Sequence, residues 1–123
     1  MNLVDSSGWL EYFSDGKNAN AFAPVIYNIE DLIVSTINLY EIYKKILIEK
    51  DENAALEATG IMMQAHVIDI DASISIQAAM LSHELKLPMA DSLIYATAKL
   101  NNAILWTQDQ DFKNIEGVNF IKK

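Results

Sequence analysis

Residues 87–112 read LPMADSLIYATAKLNNAILWTQDQDF. Pro88 cannot continue a helix arriving from upstream, so a new element starts after it. Pro88–Asp91 leads into a helix to about Asn101, with Leu93, Ile94, Thr97 and Leu100 on one face. Asn101 and Asn102 stop that helix. Ala103–Thr107 (AILWT) is then a short apolar strand, and Gln108–Asn114 a turn or a single helical turn. A helix, an abrupt stop and a buried strand form the repeating unit of a parallel sheet, in which each helix carries the chain back so that the next strand runs the same way.

The same unit recurs outward from this stretch. Upstream, Met1–Asp5 is a short strand ending in an acid. Ser6 and Ser7 can cap the helix Gly8–Phe13. Ser14–Asn20 is a polar loop, and Ala21–Asn28 is a short helix with Pro24 in its first turn. Leu32–Ser35 (LIVS) is a strand. The helix Ile37–Lys50 follows, its apolar face built from Leu39, Ile42, Tyr43 and Ile46. Asp51–Gln64 is helical, with Gly60 as its weak point or end. His66–Ile70 is a strand and Asp71–Leu87 a helix. Downstream, Val118–Ile121 is a last strand. Strands alternating with helices over 123 residues predict one α/β domain, residues 1–123, with a central parallel sheet covered by helices on both faces.

Composition narrows the chemistry. About half the residues are hydrophobic, enough for a core at this length, and there is no cysteine. Disulfide frameworks, thiolate zinc sites and cysteine nucleophiles are excluded. The start of the chain lacks a basic leader, and no apolar run reaches the ~20 residues of a membrane helix. A soluble, cytoplasmic protein with no membrane association is expected. Nine lysines, no arginine and seventeen acids give a net charge of −8. Phosphate is normally gripped by Lys and Arg, so charge alone favours a solubilising acidic surface over nucleic-acid binding. Acids gathered on a cation can still meet a phosphate.

Several acids stand where such a site would form. Asp5 closes the first strand, Asp91 opens a helix, and Asp109 and Asp111 follow the strand ending at Thr107. In parallel α/β sheets, functional groups gather at the carboxyl ends of strands. Glu41 lies within the helix after Leu32–Ser35, among Leu39, Tyr40, Ile42 and Tyr43, where a carboxylate is partly enclosed. Two carboxylates ~4 Å apart repel by about 4 kcal/mol at an effective dielectric of 20. A divalent cation relieves that repulsion, and oxygen donors suit Mg²⁺ or Mn²⁺. Such an ion can activate water for in-line attack on a phosphodiester. Taken singly, each acid also reads as a helix cap, a turn residue or a solvated side chain. Both readings stand on the residues alone.

Three segments together carry a family resemblance: LVDSSGWLEYF with Asp5 and Ser6, INLYEIYKK with Glu41, and the opening stretch from Asp91 through T-x-D-x-D-F at Thr107–Phe112. In that order, across essentially the whole chain, they resemble the PIN domains, specifically the VapC-type toxin ribonucleases of toxin–antitoxin pairs. The resemblance implies a three-layer α/β/α fold with a short central sheet and a divalent-metal-dependent endoribonuclease, cutting single-stranded RNA, often within structured RNA such as transfer RNA. It implies Asp5, Glu41, Asp91 and Asp109 as the catalytic acids, with Asp5, Asp91 and Asp109 on a Mg²⁺ or Mn²⁺ ion. Asp111 is an alternative acid of the last motif. Ser6 and Thr107 are supporting hydroxyls, and Trp9, Tyr12 and Phe13 are packing or partner surface. A homodimer and an inhibitory antitoxin protein are implied partners. Lys44, Lys45 and Lys86 are the candidate phosphate contacts.

Other residues point elsewhere. His66 and His83 lack metal-ligand spacing and read as structural, so no zinc site is expected. Ile61, Met62 and Met63 are core or dimer surface. No glycine-rich phosphate loop exists, and the serines lack a placed His/Asp pair. Two competing readings are a PIN scaffold without activity and a receiver-like Mg²⁺-binding signalling domain. The latter would want an acid beside Asp5 and a late Lys before a proline, and has neither.

Overall fold

A computed structural model describes residues 1–123. Five strands, β1 (Asn2–Val4), β2 (Leu32–Ser35), β3 (His66–Ile68), β4 (Ile104–Thr107) and β5 (Val118–Phe120), form one sheet in the order β3-β2-β1-β4-β5. Every neighbouring pair is parallel. Between them run six helices, α1 (Ser6–Phe13), α2 (Ala19–Tyr27), α3 (Thr36–Glu49), α4 (Glu52–Met62), α5 (Ala72–Leu85) and α6 (Met89–Leu100). Short 3₁₀ turns at Ile29–Asp31 and Gln110–Phe112 complete the chain.

The two-residue period of the strands builds two cores. Leu3, Ile33 and Leu105 point to one face, where they meet Ile74 and Ala78 of α5 and Ile94 and Ala98 of α6. Val4, Leu32 and Val34 point to the other, against Trp9, Phe22, Ile42, Ala55 and Met62 from α1–α4. A sheet buried on both faces gives the near-continuous apolar runs seen in the sequence. The result is the expected α/β/α sandwich. Gly8 is required on one side of it, because a Cβ there would lie 2.7 Å from both Phe22 and Val4 side-chain carbons. Its absence lets α1 settle directly on β1 and α2.

The connections determine where a site can form. The chain steps outward from β1 to β2 to β3, then returns to lay β4 on the other side of β1. The order of strands therefore reverses between β1 and β4, and a crevice opens beyond their carboxyl ends. Asp5 follows β1 and Asp109 follows β4, so both stand at that end of neighbouring parallel strands.

Several boundaries differ from the sequence reading. α1 begins at Ser6, because Asp5 is the N-cap. α2 begins at Ala19, which puts Pro24 in its interior and not its first turn. Having no N–H, Pro24 gives up one intrahelical bond there, while Phe22, Val25 and Ile26 are buried and hold the helix by packing. α4 runs through Gly60 to Met62, since nothing surrounds that glycine and the penalty is only its helix propensity. α5 ends at Leu85, where Lys86 takes a left-handed conformation with φ of 60°. β3 is shorter than expected and ends at Ile68. No helix is long and apolar enough to cross a membrane.

Candidate active site

Asp5 is set by two strands at once. Its N–H donates to Trp106 O at 2.8 Å, tying the end of β1 to β4. Its side chain is almost wholly buried, 3% exposed. Oδ2 receives the hydroxyl protons of Ser7 at 2.7 Å and Thr107 at 2.8 Å. Both hydroxyls are themselves held, Ser7 Oγ by the Gln108 N–H at 3.3 Å and Thr107 Oγ1 by the Asp109 N–H at 2.9 Å. One carboxylate oxygen is thus locked, and Oδ1 accepts no hydrogen bond from the protein.

Glu41 is oriented by a relay from α3 back to α1. Ser35 caps α3, and its own N–H donates to Asn38 Oδ1 at 3.1 Å in a reciprocal capping arrangement. The buried Asn38 amide donates to Ser6 Oγ at 3.0 Å, and Ser6 Oγ donates to Glu41 Oε1 at 2.7 Å. Asp91 enters from the first turn of α6, whose N-terminal end lies at the crevice and favours negative charge. Asp109 caps the turn after β4, its side chain accepting the Asp111 N–H at 2.9 Å. Carboxylate oxygens of Asp91, Asp109 and Asp111 all lie within 4.8 Å of one another.

The crevice is strongly acidic. Burial above all, then the charges of Asp109 and Asp5 and the hydrogen bond and charge of Asp111, push the Asp91 carboxyl up to about 8. Burial also raises Asp5, against the pull of the Ser7 and Thr107 hydroxyls, with Asp109 adding repulsion. Glu41 is raised by burial, opposed by Ser6 and reinforced by the charges of Asp5 and Asp109. Asp5, Glu41 and Asp91, from three separate segments of chain, therefore all feel the charge of Asp109.

A family model described as the PIN domain matches residues 3–118. The chain belongs to the PIN domain family. Solved structures agree on the fold. A toxin–antitoxin complex from Klebsiella pneumoniae aligns with a TM-score of 0.84 and 24% identity, covering 100% of both chains. FitAcB from Neisseria gonorrhoeae aligns at 0.75 with 22% identity, over 90% of this chain and 89% of that one. The Sarcin-Ricin loop cleaving VapC toxin of Mycobacterium tuberculosis aligns at 0.72 with 17% identity, over 92% of each. Comparison with curated protein sequences finds no match.

In this PIN domain the crevice fits a hard divalent cation. Its donors are all carboxylate oxygens, the set that Mg²⁺ and Mn²⁺ favour. The raised Asp91 carboxyl reflects burial first and then the charges of Asp109 and Asp5, and a bound cation would favour its ionised form against both. The grouping of Asp91 with Asp109 and Asp111 within 4.8 Å has Asp111 where the sequence-based set of Asp5, Asp91 and Asp109 had Asp5. Ser6 serves Glu41, and Thr107 serves Asp5. Sequence reasoning missed Ser7, the second hydroxyl on Asp5, and Asn38, the link to Ser6. The S-x-x-N spacing from Ser35, placing a polar residue inside an apolar helix, was the available signal for Asn38. Of the aromatic residues, Trp9 is core, stacked on Phe13 at 5.6 Å between ring centres, while Tyr12 and Phe13 stay half-buried.

Proposed function

We propose that this PIN domain is a divalent-metal-dependent endoribonuclease, acting as the toxin of a toxin–antitoxin pair. The observation that carries the reading is the acidic crevice itself. Asp5, Glu41, Asp91, Asp109 and Asp111 converge at the point where the strand order reverses, and a hydroxyl clamp leaves Oδ1 of Asp5 without a protein partner. Structural roles alone give no reason to hold so many carboxylates together, since each raises the cost of ionising the next.

Asp5, Asp91 and Asp109 would hold the ion, Asp5 through Oδ1, with Asp111 beside them. When bound, Mg²⁺ or Mn²⁺ supplies charge neutralisation to the phosphodiester and acidity to the attacking water. Ser7 and Thr107 keep Asp5 in one rotamer. Ser6 fixes Glu41 beside the carboxylate group, where burial raises its carboxyl above the usual range and its free oxygen is placed to accept or return a proton. Structural similarity to proteins of toxin–antitoxin complexes, one of them a cleaver of the Sarcin-Ricin loop, supports RNA as the substrate class and a protein antitoxin as partner. A homodimer and a cytoplasmic location belong to the same reading.

The test is incubation of the purified chain with total RNA in Mg²⁺, in Mn²⁺ and in EDTA, beside Asp91→Asn. Discrete fragments only with metal and only from the unsubstituted protein are expected. Cleavage that survives EDTA, or that Asp91→Asn retains, would contradict the proposal. So would intact RNA under every metal from the folded chain.

A further inference from the structure

The chain has few cations with which to hold a polyanion, and three of its nine lysines share one groove. This groove, about 330 Å³ between α1 and α3, is lined by Ser7, Glu11, Lys45, Lys50, Gln108 and Lys123, among others. It adjoins the acidic crevice through shared residues. Ser7 donates to Asp5, and the Gln108 N–H donates to Ser7. Along α3, Lys45 follows Glu41 by four residues, so the two project from one stripe about 6 Å apart. The groove thus begins where the wall holding Asp5 and Glu41 ends.

Its charges are available. Lys45 pairs only with Glu49, at 3.0 Å and with both side chains more than half exposed, a contact that exchanges readily. Glu11, the other acid of the lining, is turned to the Asn18 N–H at 2.8 Å, so the groove holds three cations against the two carboxylates Glu11 and Glu49. Lys50 and Lys123 have no acidic partner within 4.0 Å. The other lysines suggested by the sequence sit differently. Lys44 lies over the Tyr40 ring at 5.8 Å, facing an apolar groove against α4, and Lys86 is the left-handed cap of α5.

We propose that the α1–α3 groove carries the backbone phosphates of the substrate strand next to the scissile one, with Lys45 and Lys50 as principal contacts and Lys123 flanking them. The inference rests on the ribonuclease reading above. A nucleic-acid strand suits the groove better than an acidic peptide. On the proposed function the same ligand continues into the crevice, whose aspartates would hold a cation suited to phosphate oxygens, while the further carboxylates of an acidic peptide would meet those of Asp5, Glu41 and Asp91.

Cleavage of a single-stranded RNA substrate is to be followed at several salt concentrations for the unsubstituted chain, Lys45→Gln, Lys50→Gln, the double variant and Lys99→Gln. Lys99 packs over Tyr95 near the end of α6 remote from Asp91 and serves as control. The double variant should raise KM about tenfold with kcat unchanged. It should also lower the salt slope of kcat/KM by about 1.4, two single-strand phosphate contacts' worth. Lys99→Gln should move neither. A double variant with the KM and salt slope of the unsubstituted chain would overturn the groove while leaving the ribonuclease reading intact. Loss of binding to an acidic peptide with unchanged cleavage would overturn it too. Absence of cleavage by the unsubstituted chain would instead sink the ribonuclease reading, and the groove with it.

Discussion

Four aspartates stand at the N-termini of α-helices in this chain, and they divide into two pairs. Asp51 and Asp71 are exposed N-caps, each accepting a backbone N–H three residues on, from Ala54 at 2.8 Å and from Ile74 at 2.9 Å. Asp5 also caps its helix, but the Ser7 N–H is 3.4 Å away, and its stronger partners are two side-chain hydroxyls. Asp91 opens α6 with no such capping bond and points its charge toward Asp109, Asp5 and Asp111. The first pair satisfies its own helix. The second pair sits at the carboxyl edge of the sheet, beside other acids, where Asp5 is held by side-chain hydroxyls from α1 and β4 and Asp91 makes no capping bond. One residue type near helix N-termini therefore caps its own helix in two places and, on the function proposed above, serves the metal site in two others. The sheet topology decides which.

Substitutions can break that division. The largest effect is expected at Asp91→Asn and Asp5→Asn, which should lower RNA cleavage by more than about 100-fold, beyond the 10–100-fold typical of losing a supporting partner. Asp51→Ala and Asp71→Ala should leave cleavage unchanged. Thr107→Val and Ser7→Ala come next, each removing one hydroxyl from Asp5 and each expected to cost about 10–100-fold in kcat/KM or metal affinity. If the valine variant cleaves normally, the hydroxyl clamp is packing and nothing more.

Proton linkage gives a subtler contrast. The Asp91 carboxyl in the folded chain stands near 8, above its ordinary 3.8, so the folded state binds that proton more tightly than the unfolded one. The stability from this proton is complete below about pH 4 and is lost as pH rises toward 8. Asp5 and Glu41, also raised, act in the same direction. Thermal unfolding in EDTA should therefore show a falling melting temperature from pH 5 to pH 8, and Asp91→Asn should flatten the fall. Smallest of all, Asp51→Ala and Asp71→Ala should each lose about 1 kcal/mol of stability through the lost cap, read by urea unfolding.

Much of this was legible in the sequence because its signals are local. Alternating apolar strands and amphipathic helices gave the layers, and Pro88, with the spacing of Asp91 and Asp109, marked the last helix and strand. What was not legible depends on register between distant segments. Whether Ser6 or Ser7 serves Asp5 depends on how α1 leaves β1 relative to Thr107, a hundred residues away. Asp111 joins Asp91 and Asp109 only because the turn after β4 folds back through the Asp111 N–H to Asp109. Pro24 was misplaced for a different reason: burial of Phe22, Val25 and Ile26 outweighs what a proline costs a short helix.

On the proposed function the crevice acids, unlike the capping acids, are held together for a cation. The most direct test of this is thermal unfolding at pH 7.5 with increasing Mn²⁺, for the unsubstituted chain, Asp91→Asn and Asp51→Ala. An ion that binds only the folded state raises the melting temperature with concentration. The unsubstituted chain and Asp51→Ala should rise together by about 5 °C or more at saturating ion, while Asp91→Asn stays nearly flat. Equal shifts in all three, or none in any, would contradict the account.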